Sequence, residues 1–418
     1  MEVSIFKKNK IYSRYNAYND FLCHHTTEDM RLKNNLYFKF IYKLFLGIFV
    51  RVVGILHYLF NRTNSCNEYR ILILPACSQN ENRLQPILNI LKKSGAKVYI
   101  EYQNTYGHKK RKMSFGYVPL DVPSDLLLQY SEGTFLLQKY NPKVVLFMQN
   151  SGLLPAIIRN STQKVVTVNL SHGITYSDDS FSMFDYDYYF MFGRSSINFA
   201  RQNRKRFGTT KAILAGSPFI DTQLLRMDNG ETGNSIVYFS QWLAPEFVDE
   251  IQFSNNIVCE FADRNRHRKI VIKLHPLEDE GFWKKKSILV NNLEIINGTE
   301  EIVSILEKST LSLIAWSNAA IESTIAARPF IAIDNNGRAE EYLKVGKYFP
   351  VVNSVENLEL AIENIESSYA YYITACRDFV KQHVQKLDDS QGYISKTIIE
   401  ILQGNSVDGE IIDENYNW

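Results

Sequence analysis

Two histidines close apolar runs in different halves of this chain. His172 stands in Ser171-His172-Gly173 after KVVTVNL, and His275 in Lys273-Leu274-His275-Pro276 at the end of KIVIKLHP. A histidine at the carboxyl end of a strand faces the side of an α/β sheet where ligands gather, and its near-neutral pKa lets it take a proton from a hydroxyl. Gly173 permits a sharp turn, while Pro276 fixes one and removes a donor. We expect His172 to serve as a general base, and His275 with Pro276 to meet a phosphate or a nucleobase. Asp178 and Asp179 follow in the same loop and compete for the role of base, orient the imidazole, or are simply solvated. Lys273, two residues before His275, is expected to point elsewhere.

Three further loops have the right chemistry. In Trp316-Ser317-Asn318-Ala319-Ala320-Ile321-Glu322, Ser317 or Asn318 can cap a helix whose first amides would meet a phosphate, and Glu322, one turn on, can bond a ribose or base edge. Plain capping with no ligand explains the same residues. Ser240-Gln241 and Gly216-Ser217 end two other apolar runs, where a short polar loop either touches a donor molecule or merely turns. Asp185-Tyr186-Asp187 matches a DxD metal pattern but leads into an apolar run instead of leaving one, so no metal is expected there. His108 to Lys112 (HKKRK) reads as a solvated basic loop, with an anionic acceptor or lipid as the alternative. No GxGxxG and no GxxxxGK[ST] occurs, which argues against dinucleotide and P-loop enzymes.

The elements that must position these loops follow one grammar. From Arg70 onward, short β-branched runs alternate with helical patterns, as parallel sheets with crossover helices require. The runs are RILILPA, KVYIEYQ, KVVLFMQ, KVVTVNL, YYFMF and AILAG in one half, and SIVYFSQ, KIVIKLHP, NLEIING, TLSLIAW and FIAID in the other. The polar stretch Arg226–Asn234 separates them. We expect a helical segment over 1–68, one doubly wound acceptor domain over 69–228, and a second, nucleotide-donor domain over 235–353. Helices at Val355–Ser367 and Ser368–Gln403 follow within 354–404, and a frayed acidic tail over 405–418. Two such domains leave a cleft between the carboxyl ends of their strands.

The 418 residues hold 45% apolar and 22% charged side chains, a folded composition with room for two domains. A net charge of +2 gives no case for nucleic acid. Five scattered cysteines with no CxxC, and no apolar leader near the start, suit a reducing cytoplasm. Leu36–Phe60 is the most apolar stretch, yet Lys39, Lys43, Arg51 and His57 interrupt it too often for a membrane span. On a helix these four, with Gly47, Gly54, Asn61 and Arg62, fall in a sector of about 140°, opposite an apolar face. That pattern over residues 36–62 suits a helix lying on an anionic membrane, peripheral on its inner face. The alternative is a helix packed on the protein body with its basic stripe toward water.

The order of these motifs resembles the GT-B transferases of bacterial surface polysaccharides: CDP-glycerol glycerophosphotransferases, and capsule enzymes such as polysialyltransferases and Kdo transferases. The matching residues are His172-Gly173, Asp187-Tyr188-Tyr189-Phe190, Gly216-Ser217-Pro218-Phe219-Ile220-Asp221, Lys273 to Pro276 and Ser317 to Ser323. The likeness spans about Arg70 to Asn335 and rests on order and spacing, since each motif is short. It departs at Ile174-Thr175-Tyr176, where the glycerophosphotransferases carry basic residues, and at Ala315-Trp316-Ser317-Asn318. Tyr238-Phe239-Ser240-Gln241 is closer to enzymes that use CMP-activated acidic sugars. The resemblance implies a GT-B-like fold of two Rossmann-type domains and a nucleotide-activated donor. It further implies a glycan or lipid-linked acceptor, inverting transfer without a metal, and no other cofactor. By resemblance His172 is the base, and His275, Ser317 and Asn318 hold the nucleotide phosphates. Alditol-phosphate transfer, UDP-sugar epimerisation and a non-catalytic sugar- or lipid-binding scaffold remain the competing readings.

Overall fold

The computed structural model describes the chain apart from residues 1–46, 57–69, 76–80, 82, 102–114, 121, 123–125, 149–152, 162, 175–183, 203–207, 228–232, 242–246, 277 and 414–418. After a helical stretch at 47–56, strands and helices alternate as the apolar runs predict. The first half runs β1 (Arg70–Leu74), α1 (Gln85–Lys93), β2 (Lys97–Ile100), α2 (Leu127–Tyr140), β3 (Val144–Phe147), α3 (Leu154–Arg159), β4 (Val166–Leu170), β5 (Tyr188–Met191), α4 (Arg194–Gln202) and β6 (Thr210–Leu214). The second runs β7 (Ser235–Phe239), α5 (Val248–Arg264), β8 (Lys269–Lys273), α6 (Gly281–Leu289), β9 (Leu293–Ile296), α7 (Ile302–Glu307), β10 (Ser309–Ile314), α8 (Ala319–Ile325), β11 (Phe330–Ile333), α9 (Arg338–Leu343) and β12 (Val351–Val352). Helices α10 (Val355–Ser367), α11 (Tyr369–His383) and α12 (Ser390–Gln403) precede a last strand, β13 (Glu410–Ile412).

Two separate sheets result, ordered β13-β6-β5-β4-β3-β1-β2 and β12-β11-β10-β7-β8-β9. All pairings are parallel except β13 with β6. The central strands are buried on both faces, as β3 and β7 show along their whole length, which is why they read as unbroken apolar runs. In each sheet the strand order reverses once, between β1 and β3 and between β7 and β10. Helices and strands at such a reversal diverge and open a crevice. The loops after β7 and β10 carry Ser240-Gln241 and Trp316-Ser317-Asn318. This is the GT-B fold.

Two expectations about the end of the chain need correcting. Ser368–Gln403 is not one helix: α11 ends at His383, and Lys386 takes a left-handed turn (φ 52°) before α12. Nor do the closing helices form a separate unit. Ile394, Ile398, Ile401 and Leu402 of α12 join Ile71, Ile73, Val144 and Val168 in one core, so the chain crosses back and covers the first sheet. The predicted frayed tail is partly a strand. Glu410–Ile412 pairs antiparallel with Thr210–Ala212, buries Ile412, and sets Glu410 between Arg194 and Arg201. Without it β6 would be an exposed edge, and capping that edge is what a short charged strand does well.

Candidate active site

His172 leaves β4 where the sequence places it. Buried Ser171 anchors the turn: its amide donates to the Phe190 carbonyl (3.0 Å) and its hydroxyl to the Gly173 carbonyl (2.5 Å). Solvent reaches the His172 side chain, yet surrounding protein withholds water from the charged ring and lowers its pKa; a hydrogen bond to the Met148 carbonyl, at the end of β3, opposes this. A neutral imidazole that donates from one nitrogen carries a lone pair on the other.

The loop then meets the other domain. The Ile174 amide donates to Asn318 Oδ1 (3.2 Å), and a Cβ on Gly173 would lie 2.2 Å from Asn318 Nδ2. Asn318 therefore does not cap α8; it reaches across and holds the His172 loop. Ser317 does the capping, accepting from the Ala319 amide (3.3 Å). The reason for glycine after His172 is thus partly contact with Asn318, not only turn geometry. Beneath, Ile174, Ile220 and Leu224 pack with Ala320 and Ile321 in one core cluster, which ties the two domains together.

A second bridge lies one turn along α8. Glu322 accepts from Arg83, before α1, at 2.9 Å. The Arg83 guanidinium also stacks on Phe219 (4.7 Å) and reaches the Phe219 carbonyl (3.4 Å). Burial raises the Glu322 pKa, while Arg83 and Lys273 pull it down. The ribose contact foreseen for Glu322 thus shares its carboxylate with a cross-domain arginine.

In the second domain, the His275 turn is held from three directions. Glu278 accepts from the His275 amide (3.1 Å), the Ser240 hydroxyl (2.7 Å) and the Trp283 indole N–H (3.1 Å). Burial raises the Glu278 pKa against these donors. Lys273 is buried and donates to the Leu274 (3.3 Å) and Gly298 (2.5 Å) carbonyls. Burial lowers the Lys273 pKa, and it lowers that of half-buried His275, with the Lys273 charge acting in the same direction. Alternation does not separate Lys273 from His275, because residues two apart share a strand face; the ammonium reaches the Gly298 carbonyl in the loop that supports His275, and its charge acts on the imidazole. Pro276 is exposed, and Gly298 is pressed on its backbone, where a Cβ would lie 2.7 Å from Pro276 Cα.

Other predicted residues fall elsewhere. Ser240 is buried, its hydroxyl committed to Glu278, while Gln241 buries Oε1 without a hydrogen-bond partner among the described residues. Gly216 (φ 76°) and buried Ser217 lie under α12: a Cβ on Gly216 would meet Ser390 Oγ at 2.1 Å, and Ser217 Oγ accepts from the Phe219 amide (3.1 Å). The Gly216–Ser217 loop thus seats the returning helix. Asp185 pairs with Arg159 (2.8 Å), and Asp187 with Arg159 (3.2 Å) and with the Thr167 amide and hydroxyl (2.8 and 2.9 Å), so both carboxylates serve the start of β5. Asp178, Asp179 and the His108–Lys112 run lie outside the described residues. Sequence reasoning missed Arg83, Glu278 and Trp283. Only Glu278 carried a signal, as an acid three residues after the HP turn.

No protein-family model matches the chain, and no curated protein matches it in sequence. Solved structures do match in fold. The UDP-GlcNAc 2-epimerase from Neisseria meningitidis, solved with UDP-GlcNAc bound, shares 16% identity over 80% of this chain and 100% of its own, with a TM-score of 0.52. A glycosyltransferase from Rickettsia africae shares 13% over 82% and 100%, also at 0.52. The wall teichoic acid polymerase TagF shares 13% over 89% and 99%, at 0.50. At these identities the likeness establishes the GT-B architecture.

Proposed function

We propose that this chain is a glycosyltransferase of bacterial surface-polysaccharide synthesis that moves a sugar from a nucleotide donor to a glycan or lipid-linked acceptor. A CMP-activated acidic sugar is the favoured donor. The observation that carries the reading is convergence: the His172 loop of one domain bonds Asn318 at the head of α8 in the other, and one turn on Glu322 bonds Arg83 of the first. The nucleotide-sugar enzymes that share the fold support it.

In this reading the acceptor hydroxyl loses its proton to the lone pair of neutral His172. The resulting oxygen nucleophile attacks the anomeric carbon, and the bond to the nucleotide phosphate breaks on the opposite face, inverting the centre. Negative charge grows on the departing phosphate and is met by an N–H of His275, the Ser317 hydroxyl and nearby amides. The chain's own groups suffice for these steps, and no metal or further cofactor takes part. Asp178 and Asp179 compete with His172 as the base.

Purified enzyme is tested against CMP-sialic acid, CMP-Kdo, CDP-glycerol and UDP-sugars, with and without acceptor. Turnover of a CMP-sugar that requires an acceptor, and that drops about a hundredfold or more in His172→Ala, is the expected result. Turnover of CDP-glycerol alone moves the chemistry to phosphorus. Epimerised or free sugar formed without acceptor establishes the epimerase reading, which the fold of the Neisseria enzyme favours as the runner-up.

A further inference from the structure

Residues 47–56 are packed the opposite way round from an ordinary surface helix. Val50 is fully buried, and Gly54 is pressed on the strand-like stretch beside it, where a Cβ would lie 2.1 Å from the Gly116 carbonyl oxygen. Arg51 turns inward with them and donates to the carbonyls of Leu120 (3.2 Å) and Val122 (3.0 Å). The outward side carries Ile48, Phe49, Val52, Ile55 and Leu56, between 43% and 55% exposed. These five fall within one sector of about 120° at helical spacing. Leu120, whose carbonyl holds Arg51, adds a side chain that is 89% exposed. Single exposed apolar residues are ordinary, but five large ones on one side of a helix mark a docking surface.

We propose that this face docks on an anionic lipid bilayer, with the helix lying in the headgroup plane. Charge selects the occupant. Residues 30–67 contain Arg31, Lys33, Lys39, Lys43, Arg51 and Arg62 and no aspartate or glutamate, in a chain whose net charge is only +2. A second copy would bring these like-charged flanks together, whereas an anionic surface attracts them. An apolar helix face within a cationic segment is the form that rests on membranes. No helix among the described residues is long and apolar enough to cross one. The inward arginine has a clear role here: it fastens the helix through backbone carbonyls and leaves the outer face wholly apolar. The surface uses none of the residues proposed for the transfer, so the inference stands whether or not that reading does.

The test uses the full-length chain in flotation assays with vesicles of mixed phosphatidylglycerol and phosphatidylcholine, and with phosphatidylcholine alone. A triple variant, Ile48→Gln/Val52→Gln/Leu56→Gln, changes exposed positions only and keeps the charge, and its melting temperature confirms folding. The wild type should float with the anionic vesicles and much less with the neutral ones, and the variant's partition should fall about tenfold or more. Wild type that stays with the soluble fraction overturns the proposal, as does a folded variant that floats equally well. A variant that turns a dimer into a monomer while vesicle binding is unchanged also overturns it, and makes the face an interface between copies.

Discussion

Gly173 and Asn318 occupy the same space from opposite domains, so their substitutions must not add. In Gly173→Ala the new methyl would sit 2.2 Å from Asn318 Nδ2 and 3.0 Å from its Oδ1, and the asparagine must swing away. That breaks its 3.2 Å bond from the Ile174 amide, in a residue only 1% exposed. An amide left unpaired there costs about 1–3 kcal/mol, offset by about 0.4–1 kcal/mol because alanine narrows the unfolded ensemble. The net loss is about 1–2 kcal/mol. Asn318→Ala removes the same bond and costs a similar amount, but it also vacates the space the methyl needs. The double variant should therefore be no less stable than Asn318→Ala alone, a coupling of about 1–2 kcal/mol in a double-mutant cycle. Urea unfolding supplies the free energies, and hydrogen exchange at the Ile174 amide reads the local bond. Simple additivity of the two single losses, with the Ile174 amide equally protected in all four proteins, refutes the contact and with it the cross-domain hold on the His172 loop.

Four further outcomes follow from single groups. Glu278→Ala leaves the Ser240 hydroxyl and the His275 amide without their acceptor and the Trp283 indole with Ser240 Oγ alone; it should lose about 2–4 kcal/mol in urea titration, and Glu278→Gln clearly less. Both His172 and His275 have lowered pKa values because protein displaces water around them, so the acid limb of kcat/KM should have its midpoint below about 6.5; a midpoint above that value points to another base. His383 is buried with its Nδ1 on Ser195 Oγ (2.9 Å) and its Nε2 without a hydrogen-bond partner among the described residues, and burial pushes its pKa down to about 4. Its neutral form belongs to the folded state, so this stability is complete above the unfolded value of about 6.5 and drains away as pH falls toward 4, by at most about 3 kcal/mol. His383→Gln should flatten that limb of the urea midpoint plotted against pH. In the last strand, Ile412→Ala should cost about 2–4 kcal/mol, whereas the half-exposed neighbour substitution Ile411→Ala should cost close to nothing.

The parts legible in the sequence are those set by local periodicity. A buried parallel strand is apolar on both faces, so RILIL, VVLF and SIVYF announce themselves, and the polar loops after VTVNL, KIVIK and STLSLI mark the strand ends where His172, His275 and Ser317 stand. Glu410–Ile412 is three residues long inside an acidic stretch, and its strand character comes from the open edge of β6 rather than from its own composition. The return of α12 to the first sheet is likewise invisible locally, because its apolar stripe would serve equally well against either domain. Cross-domain partners escape for the same reason: Arg83 and Glu322 are 239 positions apart, and nothing near Arg83 marks it as a bridge.

That division also explains why the same motif residues had to be reassigned once placed in space. Asn318, Ser240 and Ser217 were recognised by type and loop position, which is enough to find a polar group near a cleft but not to say what it bonds. Asn318 holds the opposite domain, Ser240 holds Glu278, and Ser217 holds its own turn under α12. The residues we propose for the transfer are a smaller set: the His172 ring beside the Met148 carbonyl, the His275 turn braced by Glu278 and Lys273, and Ser317 at the head of α8. An active site built on two separate sheets needs such bracing, because the bond-making geometry depends on loops whose strands share no hydrogen bonds with each other.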